Sequence, residues 1–305
     1  MKILITGGAG YKGIILAKRL LDLKHNVTVY DNFLYGFNSV LHLLEYQNLT
    51  IKNIDVRNIV EKDVKEFDVI FHLAGISGYP ACEANPHSAN SINVESTQKI
   101  VNYLSKHQLI LYASTTSFYG MGGNVCTEDT LVNPVSYYGK TKYEAEKIVM
   151  EHENAISLRF ATIFGISPKM RIPLLVNDFA YKAVNDRNVV IFDGYSKRTF
   201  IHIQDAIDAY LFALVNFDSM KNEVFNVGSN DLNFSKLDIA NSIKKQHNFE
   251  IINSSMPDLD VRNFIISFDK IDNTGFKIKR TLDEGITELL RLFTFYKSHL
   301  DYNFI

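Results

Sequence analysis

Two side chains in this 305-residue chain stand at a spacing that can move a proton: Tyr138 and Lys142, within Pro134-Val-Ser-Tyr-Tyr-Gly-Lys-Thr-Lys142. Glu144, Ala145, Glu146, Ile148, Val149 and Met150 follow without a breaker, so the stretch reads as the opening of a helix. Residues four apart on a helix share a face, and the phenol and ammonium then point into one pocket. A free tyrosine has a pKa of about 10, too high for a good base at neutral pH. A nearby cation favours the phenolate and brings it toward the working range. Such a pair can take a proton from an alcohol as hydride leaves its carbon. Tyr-x-x-x-Lys also occurs by chance in amphipathic helices, so its meaning depends on the elements around it.

The first such element is at the start of the chain. Met1-Lys-Ile-Leu-Ile-Thr-Gly-Gly-Ala-Gly-Tyr-Lys-Gly13 is an apolar strand running into glycines, with a helical run over 14–23 behind it. Gly7, Gly10 and Gly13 recur every third residue, and Gly8, Gly10 and Gly13 satisfy G-x-G-x-x-G. Such glycines allow a tight turn, close approach of backbone to a pyrophosphate, and close packing of helix on strand. The phosphate then meets the free N–H groups and dipole of the helix N-terminus. A second strand over 27–30 ends at Asp31, whose carboxylate can accept from adenosine ribose hydroxyls and would repel a 2′-phosphate. NAD is therefore expected over NADP.

Composition agrees with an enzyme of this kind. The chain is long enough for a sizeable core, and 46% hydrophobic with 22% charged residues is ordinary for a globular protein. A net charge of −2 gives no reason to expect nucleic acid or an anionic membrane surface. Two cysteines, Cys82 and Cys126, imply no disulfide framework and fit a reducing compartment. No apolar run approaches the roughly 20 residues that span a bilayer, and Met1 leads directly into the first strand, so a cytoplasmic location is expected. No metal-ligand cluster stands out. Strands are expected at 3–5, 27–30, 49–54, 69–72, 109–113 and 156–160, with helices near 13–23, 39–46, 91–106 and 136–152. That alternation argues for a parallel sheet covered on both faces, with ligands at the strands' carboxyl ends.

At this point the chain resembles the extended short-chain dehydrogenase/reductases, in particular the NAD-dependent epimerase/dehydratase group acting on nucleotide-diphosphate sugars. The resemblance rests on Gly7–Gly13, Asp31-Asn32, Asp55-Val56-Arg57, His72-Leu-Ala-Gly75, Asn93-Val94, Ala113-Ser-Thr-Thr-Ser-Phe-Tyr-Gly120 and Tyr138-Gly-Lys-Thr-Lys142. Arg198-Thr-Phe-Ile-His-Ile-Gln-Asp205 and Asp260-Val-Arg262 carry it into the second half. It implies an α/β fold, a Rossmann-type doubly wound parallel sheet with a smaller C-terminal substrate lobe. The expected division is a NAD-binding domain over 1–165, with 198–217 returning to it, and a substrate lobe over most of 166–305. It implies Tyr138 as general base, Lys142 on the nicotinamide ribose, and Thr115 on the reacting sugar hydroxyl. NAD contacts are expected from Gly7, Gly10, Tyr11, Lys12, Gly13, Asp31, Asn32, Asp55, Val56, Leu73, Ala74, Gly75, Asn93 and Lys142. Substrate contacts are expected from Thr116, Ser117, Asn177, Arg198 and Arg262, the arginines clamping the diphosphate. A homodimer is also implied.

Departures from that family narrow the chemistry. Members that eliminate water usually carry an Asp-Glu or Ser-Glu pair just after the catalytic threonine, the glutamate removing a proton beside the new ketone. Here those positions are Thr116 and Ser117. The 3,5-epimerizing members place a cysteine where Ser117 stands. What remains is reversible hydride transfer at one carbon: C4 epimerization or net oxidation there, in polysaccharide precursor synthesis. The alternatives are a 4,6-dehydratase, a 4-ketoreductase, or a non-catalytic NAD sensor. Residues 165–171 and 127–134 resemble bacterial capsule-pathway enzymes that oxidise C4 of a GDP-linked heptose.

Overall fold

A computed structural model describes residues 1–256 and 263–297, with the side chains of 121–124 left aside. Seven parallel strands form the main sheet. From edge to edge they are Glu223–Val227, Ala155–Phe160, Leu109–Thr115, Val69–His72, Lys2–Thr6, Asn26–Asp31 and Leu49–Asn53. The fully buried runs Val69–His72 and Ala155–Phe160 show why apolar stretches without strict alternation become central strands.

Side chains still alternate between the two faces. Ile3, Ile5, Val69 and Phe71 pack with Leu16, Leu20, Ala206 and Tyr210, which belong to helices Gly13–Asp22 and Ile203–Val215. Leu4, Ile70, Ile110 and Tyr112 face the other way, against Ile100, Ala145 and Val149 of helices Ser96–Tyr103 and Tyr137–Met150. Strand order reverses beside Lys2–Thr6, whose neighbours are Val69–His72 and Asn26–Asp31. The loops leaving Lys2–Thr6 and Val69–His72 therefore open a crevice at their carboxyl ends. A separate core joins Phe164, Val176, Ala180, Phe200, Ile239, Ile243, Ile286 and Leu289, on helices Leu175–Asn185, Lys236–Gln246 and Leu282–Phe293 and the small strands beside them.

Three segments differ from the sequence expectation. The helix expected near 39–46 is a short 3-10 helix, Asn38–Leu43. The one expected over 91–106 opens with a π-helical turn, Ser91–Glu95, before Ser96–Tyr103. Ser96 and Thr97 donate side-chain hydrogen bonds to the carbonyls of Ile92 and Asn93, competing with the regular backbone ladder there. The segment 198–217 divides. Its strand, Lys197–His202, pairs with Thr162–Phe164 and Asn233–Ser235 outside the main sheet, while its helix covers the main sheet. The strand that rejoins the main sheet is Glu223–Val227, which pairs with Ala155–Phe160.

Candidate active site

Ser136 starts the helix that carries the tyrosine and lysine. Its Oγ accepts from the Gly139 amide at 3.0 Å, filling one of the donors a helix start leaves free. Tyr138 and Lys142 both line a cleft of about 450 Å³ at the strands' carboxyl ends. Lys142 is buried, its Nζ 4.1 Å from the centre of the Tyr112 ring. Burial, assisted by the like charge of Lys12 and opposed by Glu146, pulls its pKa down to about 7. One turn further along the helix, Glu146 binds Arg159 at 2.7 Å, both side chains almost wholly buried, and so ties the helix to the sheet.

Thr115 ends its strand beside the cleft, in register with Phe160. Its hydroxyl donates to Ser117 Oγ at 2.9 Å and accepts from the Ser117 amide at 3.1 Å. Thr115, Ser117, Tyr138 and Lys142 thus share one end of the cleft. The carboxylates that line it, among the described residues, are Asp31, which ends the second strand, and Asp55, just beyond the third.

Asp31 and Asp55 form the other end with the glycine loop. Gly7 has φ +70°, and a Cβ there would lie 2.8 Å from the Ala74 backbone. A Cβ on Gly13 would come within 2.4 Å of the Gly7 carbonyl, so helix and strand meet only through glycine. Asp31 accepts from the Ala9 amide at 3.0 Å and the Phe33 amide at 2.9 Å, binding the glycine loop to the second strand. Burial raises its carboxyl pKa against the lowering effect of those amides. Asp55 is gripped by Arg57 at 2.9 and 2.7 Å, and that pairing holds its pKa down at about 2. Asn32 donates to Asp55 at 3.3 Å. Val56, Leu73, Ala74 and Gly75 complete the wall with Gly10 and Tyr11.

Several expected contacts lie elsewhere. Thr116 turns its hydroxyl to the Phe160 carbonyl at 3.2 Å and does not line the cleft. Asn177 is fully buried, accepting from the Gly165 amide and donating to Tyr11 and to the Arg171 carbonyl, so it is a bolt within the wall. Arg198 is buried on its strand, donating to the Lys197 carbonyl, away from the cleft lining. Asn93 acts from behind: it accepts from the Ile76 amide, donates to the Ile76 carbonyl and Thr141, and so holds the turn that follows Gly75. Arg262 lies outside the described residues.

Sequence reasoning missed a bridge across the cleft. Ser167 donates to the Tyr11 carbonyl at 2.8 Å, Lys169 to the Tyr35 carbonyl at 3.0 Å, and Arg171 to Ser77 Oγ at 2.9 Å. Residues 165–171 had been singled out as a motif, but nothing in their spacing says which loops they would reach. Ser114 was also missed. The residue borders the cleft, and its hydroxyl is buried and without a partner among the described residues. His72 is a packed core histidine between Thr6 and Thr97, and burial depresses its pKa to about 3.

A glycine cradle at a helix start, an acidic ribose site and a tyrosine–lysine pair at the opposite end define a dinucleotide-dependent dehydrogenase-type site. The chain belongs to the NAD dependent epimerase/dehydratase family, whose model matches residues 3–228, and is an NAD-dependent enzyme. It is 31% identical over 247 residues to an uncharacterized UDP-glucose epimerase of Bacillus subtilis, covering 75% of this chain and 77% of that one. It is 27% identical over 254 residues to a UDP-glucose 4-epimerase of Corynebacterium glutamicum, covering 76% of each. Its fold matches a UDP-glucuronic acid 4-epimerase from Bacillus cereus, solved with UDP-glucuronic acid and NAD. The TM-score is 0.83 at 24% identity, over 96% of this chain and 99% of that one. The residues present fit NAD: a Cβ at Gly7 or Gly13 would come within 2.8 or 2.4 Å of backbone atoms, so the turn stays open to close approach, and the Asp31 carboxylate lines the same cleft at the end of the second strand. No helix among the described residues is long and apolar enough to cross a membrane.

Proposed function

We propose that this enzyme is a nucleotide-diphosphate-sugar 4-epimerase working by reversible oxidation at sugar C4. One observation carries the reading: Thr115, Tyr138 and Lys142 share an end of the cleft where the described residues supply no carboxylate. Tyr138 takes the proton of the sugar 4-hydroxyl, and Thr115 holds that hydroxyl in place. Lys142, one helical turn further on, holds the nicotinamide ribose. Bound NAD would supply the hydride acceptor and donor for C4. Gly7, Gly10 and Gly13 hold the dinucleotide's phosphates and Asp31 its ribose. With no second acid–base pair at hand, the keto-sugar has no route to water loss and takes hydride back on its other face. A UDP-sugar is the first substrate to test, because the named relatives carry that activity in their names.

The decisive experiment incubates purified protein with UDP-, GDP-, dTDP- and CDP-sugars in deuterated water and follows products by NMR and mass. A C4 epimer of unchanged mass supports the reading. A released 4-keto sugar, or a product short by one water, overturns it. Cys82 and Cys126, both buried and not joined in a disulfide, support a cytoplasmic setting. The homodimer expected from the family resemblance is tested by sedimentation.

A further inference from the structure

The glycine loop carries a lysine whose side chain turns to the aromatic wall of the cleft. Lys12 directly precedes Gly13, the first residue of its helix. Its Nζ lies 3.4 Å from the Tyr210 hydroxyl, and 4.7 and 5.8 Å from the ring centres of Phe160 and Tyr210. No carboxylate pairs with it among the described residues; the charges that reach it are those of Lys142 and Arg171, both positive. Phe160 is the register partner of Thr115, so this ammonium stands at the reacting end of the cleft. Burial and the like charge of Arg171 push its pKa down to about 7, while the ring faces beside it favour the charged form.

An oxidised nicotinamide ring is positively charged and the reduced ring is neutral. Hydride exchange beside Thr115 and Tyr138 requires that ring to be at this end. We propose that Lys12 is a tuning charge: its ammonium disfavours the oxidised ring relative to the reduced one, raises the reduction potential of bound NAD, and biases hydride transfer toward the keto-sugar. The inference rests on the reading that this cleft holds NAD for hydride transfer. It assigns Lys12 a different task from a diphosphate counter-ion, which would act equally on both redox forms.

The test compares affinities of NAD+ and NADH for the full-length, cofactor-free protein and its Lys12→Met and Lys12→Arg variants. Calorimetry at pH 6, where the lysine is protonated, provides the dissociation constants. Lys12→Met is expected to move the NADH-over-NAD+ preference toward NAD+ by about tenfold, the scale of one unit charge acting across a partly buried site. Lys12→Arg should keep the wild-type ratio. A folding defect weakens both dinucleotides alike and leaves the ratio unmoved, so the ratio reports the charge alone. Equal weakening of both by Lys12→Met, or no change, overturns the tuning role while leaving the cofactor reading intact. A wild-type protein that binds neither dinucleotide overturns both.

Discussion

Thr115 and Ser117 are hydrogen-bonded to each other, hydroxyl to hydroxyl, at 2.9 Å, and the Ser117 amide returns a second bond to Thr115. Ser117 is thereby spent on orienting the threonine, and neither group can remove a proton from carbon. Thr115→Val should lower kcat by about 10²-fold or more, the usual worth of a positioned proton-transfer contact, with little change in NAD affinity. A variant with the wild-type rate would remove Thr115 from the reaction.

Tyr138→Phe deletes the proposed base and leaves the glycine loop and Asp31 untouched. Turnover should fall by about 10²–10⁴-fold, while calorimetry records unchanged NAD binding. Retained turnover would end the assignment.

Lys142 links pH to stability. An unfolded lysine titrates near 10.4, whereas the buried Lys142 is pulled down to about 7. Between those values the unfolded chain binds more protons, so this group makes stability rise with pH across that window. Its burden is full below about 7 and gone above about 10.4. Lys12 acts in the same direction. Urea midpoints of the cofactor-free protein should climb from pH 7 to 9.5, and Lys142→Met should flatten the climb and raise the midpoint at pH 7. An identical slope in the variant would contradict the burial argument.

The Glu146–Arg159 pair is a second energetic hinge of the site. Arg159 also donates to Tyr119 at 2.7 Å, and Ser157 donates to Glu146 at 2.7 Å, so every charged oxygen has a partner. Removing one member strands the other in a dry interior, which costs about 3–5 kcal/mol. Glu146→Ala should lose that much in urea unfolding, and Glu146→Leu with Arg159→Met together should lose less than the two single changes summed. A loss below about 1 kcal/mol for the single change would mean that the pair behaves as an exposed one.

The sheet was legible where burial on both faces leaves an uninterrupted apolar run, as at 69–72 and 109–113. The segment 224–227 reads from sequence only as a short apolar run of the second half; that it joins the main sheet after a long excursion is information that lies in pairing and not in local pattern. The placement of Thr115, Tyr138 and Lys142 on one cleft was readable because two of them share a helix face and the third ends a strand. Thr116, Asn177 and Arg198 stand off the cleft lining for the opposite reason. Their types suit a diphosphate or a sugar, but which way each side chain turns is decided by partners distant in the chain, such as the Phe160 carbonyl for Thr116 and Tyr11 for Asn177.

Glu223–Val227 also has a meaning for synthesis. Until it emerges from the ribosome, Ala155–Phe160 is the outer strand of the growing sheet, six residues that all end buried. An uncovered apolar edge invites pairing with another chain. The last strand thus acts as a cover that seals this edge, and Phe160, which underlies the Lys12 ammonium, lies on the strand it seals. A nascent chain or truncation ending at 165 holds the glycine loop, Thr115, Tyr138 and Lys142, yet leaves their sheet open to aggregation.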